Sequence, residues 1–249
     1  MEQTNHPVAL ITGASGGIGS EIARIFAKNG YSLALHCHKN KASLAQLTEE
    51  LSSSLDEGQN ILCVTGDLSR EEDVSHLMEE IQSSLGTIDV LVNNAAVSHV
   101  GLLQDMTLTE WQRVMNVNLT SVFLLSRAFI PSMLQNGGGR IINISSMWGR
   151  AGASCEAAYS ASKGGVESLT KSLAKELSRS NIAVNAIAPG VVDTVMNDNL
   201  SKEEKAALSE EIPLGRFATA EEIADLVCYL SKAPFYLTGQ VIGIDGGFI

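Results

Sequence analysis

Tyr159 and Lys163 lie four residues apart in the segment 158–163, AYSASK. In a helix this spacing places both side chains on one face, one turn apart. A phenol titrates near pH 10 and is a poor acid or base at neutral pH, whereas a neighbouring ammonium favours the phenolate and lowers the pKa of the tyrosine. The pair is therefore a candidate for general acid–base chemistry. A half-buried tyrosine beside a surface lysine has the same spacing, so the rest of the chain must decide between the two.

A glycine-rich turn near the N-terminus predicts a nucleotide site. The apolar run Val8–Ile11 precedes residues 12–19, TGASGGIG, and apolar residues at helical spacing follow from Ser20. This is the order strand, turn, helix. Glycines let a pyrophosphate approach the backbone, and a helix N-terminus supplies N–H donors and the positive end of its dipole. A βα turn without a ligand is the alternative.

The residues after the second predicted strand, 32–36, favour NADP(H) over NAD(H). In dinucleotide-binding folds an acidic residue here binds the ribose 2′-hydroxyl, and a basic residue accommodates a 2′-phosphate. There is no Asp or Glu from Gly30 to Ala45, whereas His38, Lys39 and Lys41 cluster. The alternative is that these are solvated loop charges.

Polar side chains follow further predicted strands, at the edge where parallel strands bind ligands. Asp67, after strand 61–64, could accept a hydrogen bond from an adenine amino group or cap the next helix. Asn94 and Ala95, after strand 88–92, suit a crowded strand end near a cofactor or a plain turn. Ser146, after strand 140–144, could donate to a substrate oxygen.

Asn118 lies inside a predicted helix over 110–131, where Asn is mildly unfavourable. Its side chain or a locally opened backbone could hold water in a site; alternatively it caps a helix break. Residues 191–215 are the least regular part of the chain, with a charged, helix-compatible middle at 201–210. We interpret them as a mobile lid over a pocket, with an ordinary surface excursion as the alternative.

Seven predicted strands alternate with helices, without a linker, repeat or low-complexity segment. This pattern predicts an α/β fold with a single Rossmann-type, doubly wound parallel sheet, and one dinucleotide-binding catalytic domain over residues 1–249.

Composition excludes several functions. The 249 residues carry 17 basic and 28 acidic side chains, a net charge of −11, which argues against broad binding to nucleic acid or anionic membranes. The four cysteines have no metal-like spacing and the five histidines form no paired-ligand pattern, so we expect no metal. We find no signal peptide and no run of transmembrane length, and therefore expect free thiols in the cytoplasm.

Taken together, the motifs resemble those of the short-chain dehydrogenases/reductases. They are Thr12-Gly-x-x-x-Gly17-x-Gly19, Asn93-Asn94-Ala95-Ala96, Ser146, Tyr159-x-x-x-Lys163 and Pro189-Gly190. The spacing from Ser146 to Tyr159 also fits the family. The C-terminal segments 213–216, 238–240 and 245–247 are most similar to the β-ketoacyl-(acyl-carrier-protein) reductase branch.

The resemblance implies a role for each matching residue. Tyr159 would protonate the carbonyl oxygen as hydride arrives, and Lys163 would lower its pKa and bind the nicotinamide ribose. Ser146 would polarise the carbonyl, and Asn118 would hold a water that links Lys163 to solvent. The implied cofactor contacts are Gly13, Ser15, Gly17, Ile18, Gly19, His38, Lys39, Asp67, Leu68, Asn94, Ala95, Tyr159, Lys163, Pro189, Gly190, Val192 and Thr194. A homotetramer, with the last strand near a dimer contact, is implied as well.

Three features depart from this branch. Many NADP-preferring relatives have a basic residue where this chain has Gly16, so the NADP(H) prediction depends on His38 and Lys39. Relatives that use a carrier protein have basic residues around the active-site mouth, whereas only Arg140 and Arg179 lie near it here, which makes an acidic acyl carrier protein a doubtful partner. Trp148 is either a wall of the substrate pocket or a loop aromatic packed on the lid.

We therefore expect an NADPH-dependent carbonyl reductase whose favoured substrate is a 3-oxoacyl thioester. An NAD-dependent alcohol or sugar dehydrogenase is the first alternative, because the pocket lies in the variable lid. A non-catalytic dinucleotide-binding regulatory protein is the second. The presence of all of Asn118, Ser146, Tyr159 and Lys163 argues against the second.

Overall fold

Seven parallel strands form one sheet in the computed structural model, which describes residues 6–195 and 201–249. The strand order is β3-β2-β1-β4-β5-β6-β7, which confirms the predicted doubly wound sheet. The strands are β1 Val8–Ile11, β2 Ser32–Cys37, β3 Ile61–Thr65, β4 Val90–Asn93, β5 Gly139–Ile144, β6 Ile182–Pro189 and β7 Val241–Ile244.

Helices connect the strands and cover both faces of the sheet. They are α1 Gly17–Lys28, α2 Lys41–Ser52, α3 Glu71–Leu85, α4 Leu108–Met115, α5 Ser121–Gln135, α6 Trp148–Ala151, α7 Ala157–Leu177, α8 Lys202–Glu211 and α9 Ala220–Lys232. Short 3₁₀ turns occupy Leu103–Asp105 and Ser178–Ser180.

The core lies on both faces of the sheet, because successive strand residues point to opposite sides. Ala9 and Ile11 of β1 pack into the apolar layer that includes residues of α1, α2 and α9. Val8 and Leu10 pack into the opposite layer, with residues of α3, α5 and α7. The apolar runs at the centre of the sheet are therefore buried strands, whereas β3 and β7, at its two edges, are partly exposed.

The strand order reverses between β1 and β4. From β1 the chain winds outward through β2 and β3, and from β4 it winds the other way. Such a switch point leaves a crevice at the carboxyl ends of the strands. The glycine-rich turn follows β1 and the Asn94-Ala95 segment follows β4, so both open into this crevice.

One continuous helical stretch runs from Leu108 to Gln135 and is longer than the predicted 110–131. A π-helical turn at Asn116–Thr120 joins α4 to α5, and Pro131 lies inside α5 rather than at its end. The proline removes one intrahelical N–H donor, but Phe129 and Met133 are fully buried on either side of it. Tertiary packing therefore outweighs the local preference to stop.

By length and composition alone, Leu108–Gln135 would suffice to cross a membrane. The prediction that no run reaches this length is therefore wrong. Half of its most apolar window is buried inside the fold, as in a core helix of a globular domain.

Two helices lie near the carboxyl edge. The residues after Ser146 form the one-turn helix α6. In the predicted lid, the helix-compatible segment 201–210 forms α8, which begins with a capping box in which Ser201 and Glu204 bond each other's backbone N–H groups. Residues 196–200 of that lid lie outside the described part of the chain.

Candidate active site

A cleft of about 1080 Å³ lies at the carboxyl edge of the sheet, over the switch point. Most of the predicted site residues line it. These are Gly13, Ser15, Gly17, Ile18, Gly19, His38, Lys39, Asp67, Asn94, Ala95, Ser146, Tyr159, Lys163, Pro189, Val192 and Thr194. Leu68 and Gly190 are not among the lining residues; Leu68 is buried in the core. Asn118 is buried and does not line the cleft.

The glycine-rich turn has the shape of a phosphate cradle. Gly13 adopts φ +66°, a conformation that side chains disfavour. A Cβ on Gly19 would lie 2.3 Å from the carbonyl oxygen of Gly13, and one on Gly17 would lie 2.8 Å from Cγ2 of Thr194. Gly16, at the N-cap of α1, makes no side-chain cap bond, which leaves the first-turn N–H groups available to an anion. These residues fit the pyrophosphate of a dinucleotide.

Asn94 and Thr12 hold the turn against the end of β4. The Asn94 side-chain amide donates to the carbonyl oxygens of Thr12, at 2.9 Å, and Gly13, at 3.3 Å. The Thr12 hydroxyl accepts from the backbone N–H groups of Asn94 and Ala95 at 2.9 and 3.0 Å. The two strand ends are thus tied together at the floor of the cleft.

His38, Lys39 and Asp67 lie together at one end of the cleft. The Asp67 carboxylate accepts from the backbone N–H and the hydroxyl of Ser69, at 3.0 and 2.6 Å. Burial opposes ionisation, but these hydrogen bonds prevail and lower the pKa of Asp67. The predicted capping role is wrong: Asp67 forms a turn with Ser69 ahead of α3, whose N-cap residue Arg70 makes no side-chain cap bond, and Asp67 lines the cleft.

Tyr159, in the first turn of α7, lines the cleft. Burial raises its pKa to about 12, against a smaller lowering effect of the hydrogen bond from Ser146. The predicted lowering by Lys163 is therefore not what this structure gives, because desolvation of the phenolate dominates. Ser146 itself accepts from the backbone N–H of Trp148 at 3.2 Å, which orients its hydroxyl.

Lys163 is buried one turn further along α7. Its ammonium Nζ donates to the carbonyl oxygen of Ile144, at the end of β5, at 2.7 Å. Burial lowers the pKa of Lys163 to about 8. The ammonium has three N–H donors, and the Ile144 carbonyl accepts from one of them. Lys163 lines the cleft, so the other two can donate to a ligand there.

Asn118 lies in the π-helical turn, so the opened backbone considered from the sequence is present. Its side chain accepts from the N–H of Val97 at 2.8 Å and donates to the carbonyl oxygen of Val97 at 2.9 Å. It also donates to the hydroxyl of Ser162, beside Lys163, at 3.1 Å. Asn118 therefore joins the segment after β4 to the helix that carries Tyr159 and Lys163.

Comparison with known proteins identifies this arrangement. Residues 7–205 match the family model described as short chain dehydrogenase. The chain belongs to the short-chain dehydrogenases. As a member of this family it is an oxidoreductase that uses NAD(P).

Several relatives of this short-chain dehydrogenase match it over nearly their whole length. "Uncharacterized oxidoreductase YmfI" of Bacillus subtilis is 42% identical over 241 residues, 96% of this chain and 98% of the relative. "Nodulation protein G" of a Rhizobium species is 39% identical over 96% of this chain and 95% of the relative. "3-oxoacyl-[acyl-carrier-protein] reductase FabG" of Thermotoga maritima is 39% identical over 97% of each chain.

Trp148 packs on the C-terminal segment of this short-chain dehydrogenase. Its ring meets Phe248 edge to face, with centroids 5.8 Å apart, and it is not among the residues that line the cleft. This arrangement is closer to the predicted packed aromatic than to a pocket wall, although its partner is the C-terminal segment rather than the lid. Within residues 6–195 and 201–249, no group of three His, Cys, Asp or Glu side chains could hold a metal ion.

Sequence reasoning missed one wall of the cleft, contributed by α4 and the π turn. Thr109, Gln112, Arg113 and Asn116 line it. Their spacing i, i+3, i+4, i+7 is that of one helix face, which is the signal that could have found them. It also missed Ser98, which lines the cleft and donates to the carboxylate of Glu156 at 2.5 Å.

Proposed function

We propose that this short-chain dehydrogenase is an NADPH-dependent reductase that converts the ketone of a 3-oxoacyl thioester to an alcohol. The observation that carries the proposal is the environment of Tyr159. Its side chain lines the same cleft as Ser146, Lys163 and the glycine-rich turn, so a proton donor, a hydroxyl and an ammonium share the cleft that fits the cofactor. In the protein without ligands burial keeps the phenol protonated, and the neighbouring Lys163 charge favours the tyrosinate that proton transfer would leave.

The chain's own groups account for the proton and for substrate polarisation. When bound, the reduced nicotinamide supplies the hydride that adds to the carbonyl carbon. Tyr159 gives its proton to the carbonyl oxygen, so a C–H and an O–H bond replace the C=O π bond, and the oxidised cofactor leaves. Ser146 donates a hydrogen bond to the same oxygen and stabilises its developing charge.

Lys163 has two tasks in this proposal. Its ammonium, anchored on Ile144, donates to the ribose hydroxyls of the nicotinamide half. Its positive charge also stabilises the tyrosinate left after proton transfer, until solvent returns a proton. Asn118 supports this return path by fixing Ser162 and the backbone at Val97 beside the lysine.

Preference for NADPH is supported by the charge at the other end of the cleft. His38 and Lys39 both line it, and no carboxylate follows β2 in the position that would repel a 2′-phosphate. Lys41 does not line the cleft.

A 3-oxoacyl thioester as substrate is supported by the relatives and by the mouth of the cleft. Relatives named 3-oxoacyl-[acyl-carrier-protein] reductase are 39% identical over nearly the whole chain. Val195 lines the cleft and is 77% exposed, as suits a wall that an acyl chain would cover. The Glu156 carboxylate and the net charge of −11 disfavour docking of an acidic carrier protein, so the panel below includes thioesters without one.

Further parts of the proposal concern organisation. We propose one catalytic domain with residues 191–215 as its substrate lid, and a cytoplasmic homotetramer. Exposed apolar residues on α5, on α9 and near the C-terminus support self-association; they are Phe123, Tyr229, Phe235, Tyr236 and Ile249. The four free cysteines suit a reducing compartment. Light scattering coupled to gel filtration measures the oligomeric state.

The deciding experiment is a substrate panel with both cofactors. Acetoacetyl-coenzyme A, longer 3-oxoacyl-coenzyme A thioesters, 3-oxoacyl carrier proteins and simple ketones are each followed by oxidation of NADPH or NADH at 340 nm. We expect turnover of the coenzyme A thioesters with NADPH. Oxidation of alcohols or sugars with NAD alone would support the dehydrogenase alternative. Tight nucleotide binding without any turnover would support the regulatory protein.

A further inference from the structure

His36, the penultimate residue of β2, is buried under the glycine-rich turn, with only 2% of its surface exposed. Its backbone carbonyl accepts from the N–H of Ala14 at 2.8 Å. Its ring joins two different loops: Nδ1 lies 3.4 Å from the N–H of Gly13, and Nε2 lies 3.0 Å from the carbonyl oxygen of Gly66. The side chain thus bridges the turn after β1 and the loop after β3.

The partners of the ring fix its protonation state. The carbonyl of Gly66 can only accept, so Nε2 must carry the hydrogen. The backbone N–H of Gly13 can only donate, so Nδ1 must be bare. The neutral Nε2–H tautomer satisfies both, whereas an imidazolium would place two donors against each other at Gly13. Burial lowers the pKa of His36, which agrees with a neutral ring.

The two bridged loops correspond to two parts of one ligand in the proposed function. Gly13 opens the turn that fits the pyrophosphate, and Gly66 precedes Asp67 at the end of the cleft that would hold the adenosine. In a dinucleotide the covalent structure limits the distance between the pyrophosphate and the adenine. If His36 holds the two loops at a suitable distance before the cofactor binds, less conformational entropy of the loops is lost on binding.

We propose that His36 is a positioning residue for the adenosine half of the cofactor, since its neutral ring couples the phosphate-binding turn to the adenine-side loop. This inference rests on the proposed dinucleotide site. His36 also lines the cleft, but both of its ring nitrogens have protein partners, so it acts on the cofactor through Gly13 and Gly66. Its removal should weaken binding of the adenosine half and leave the chemistry at Tyr159 unchanged.

Two conservative variants separate the two halves of the bridge. An asparagine side chain places an acceptor near the position of Nδ1, so His36→Asn can retain the bond from Gly13. A glutamine side chain places a donor near the position of Nε2, so His36→Gln can retain the bond to Gly66. His36→Leu removes both, and His76→Leu, at an exposed histidine on α3, is the matched control.

Binding is measured by calorimetry with NADPH, with 2′,5′-ADP as the adenosine half and with reduced nicotinamide mononucleotide as the other half. For His36→Leu we expect about 10-fold weaker binding of NADPH and of 2′,5′-ADP, from two lost hydrogen bonds. Binding of the mononucleotide and kcat at saturating NADPH should stay within about twofold. His36→Asn and His36→Gln should each recover part of the affinity, and His76→Leu should match the wild type.

The outcomes separate this inference from the proposed function. If the wild type does not bind NADPH, the proposed cofactor is wrong. If the wild type binds and all three His36 variants bind equally well, the inference is wrong. An equal loss for both half-ligands, or a fall in kcat at saturation, would mean a general effect on the fold and would also overturn it. Should His36→Leu unfold, the asparagine and glutamine variants give the same comparison.

Discussion

The ammonium of Lys163 lies 5.6 Å from the centre of the Tyr159 ring; Lys163 is buried, and Tyr159 is partly exposed in the cleft. Burial acts on them in opposite directions: it raises the pKa of Tyr159 to about 12 and lowers that of Lys163 to about 8. In each case the neutral form gains. Before ligands bind, Tyr159 is therefore a neutral phenol, and burial destabilises the charged form of Lys163. In the proposed reduction the phenol has a proton to give, and the tyrosinate that results would restore a favourable partner for the ammonium.

Removal of the Tyr159 hydroxyl should abolish most of the turnover and leave cofactor binding nearly intact. Tyr159→Phe keeps the ring and removes the proton, so we expect kcat to fall by about 10²- to 10⁴-fold, the usual contribution of general acid catalysis. Steady-state kinetics give kcat, and calorimetry gives the Kd for NADPH. Tyr236→Phe, at a fully exposed tyrosine, should behave as wild type. Retained activity in Tyr159→Phe would contradict the proposed role.

Replacement of Lys163 should stabilise the protein without ligand while inactivating it. A shift of the Lys163 pKa from 10.5 to about 8 corresponds to a destabilisation on the order of 3 kcal/mol below pH 8. Lys163→Met removes this penalty and fills the same space, although it leaves the Ile144 carbonyl without its donor. We expect a net gain on the order of 1–2 kcal/mol in the free energy of unfolding at pH 7, measured by urea denaturation.

The pH dependence of that gain tests its cause. Between pH 8 and 10.5 the unfolded chain holds the lysine proton and the folded chain does not, so wild-type stability rises with pH relative to Lys163→Met. The advantage of Lys163→Met should therefore be constant below pH 8 and fall by about 3 kcal/mol across this window, so that the wild type becomes the more stable protein at its upper end. Lys171→Met, at an exposed lysine on the same helix, should show no such trend. A difference independent of pH would show that packing rather than ionisation is responsible.

The sequence was sufficient to predict the sheet and the spacing of the chemical groups, because both depend on local patterns. Apolar runs between helical segments indicate buried parallel strands, and four residues in a helix bring Tyr159 and Lys163 to one face. The direction of the Tyr159 pKa shift was not predictable in this way. It depends on how completely other elements exclude water from the phenol, and the sequence gives no measure of that.

Long-range partners were also inaccessible to pattern reasoning. His36 is indistinguishable in sequence from any polar residue in a strand, since Gly13 and Gly66, which it bridges, come from two other elements. The packing of Trp148 depends on Phe248, one hundred residues later. Asn118 was open to two interpretations, and the π turn that favours one of them has no local signal in the sequence.

Reversal of charge at Lys39 should weaken binding of NADPH specifically. Lys39 lines the end of the cleft with His38, where a 2′-phosphate would lie, whereas Lys41 begins α2 outside the cleft. For Lys39→Glu we expect the Kd for NADPH to rise by about 10- to 100-fold, the value of a charge-assisted hydrogen bond replaced by repulsion, and that for NADH to change little. Fluorescence titration with both cofactors measures this, with Lys41→Glu as the control. Equal losses for NADPH and NADH would refute the assignment of Lys39 to the 2′-phosphate.

Replacement of the Asn118 amide by a carboxylate should disturb both stability and turnover. In the wild type the amide nitrogen donates to the Val97 carbonyl and to Ser162. Asn118→Asp would place a buried carboxylate against that carbonyl, at a cost on the order of 3 kcal/mol, so the midpoint of urea denaturation should fall. Because protonation of the carboxylate restores one donor, the loss should diminish towards pH 4. Asn116→Asp, at an exposed position in the same π turn, isolates the effect of the charge on stability and should leave the midpoint nearly unchanged, whereas kcat is compared with that of the wild type because Asn116 lines the cleft. If Asn118→Asp were as stable as Asn116→Asp and as active as the wild type, the link between Val97 and the helix of Tyr159 would have no part in holding the site together.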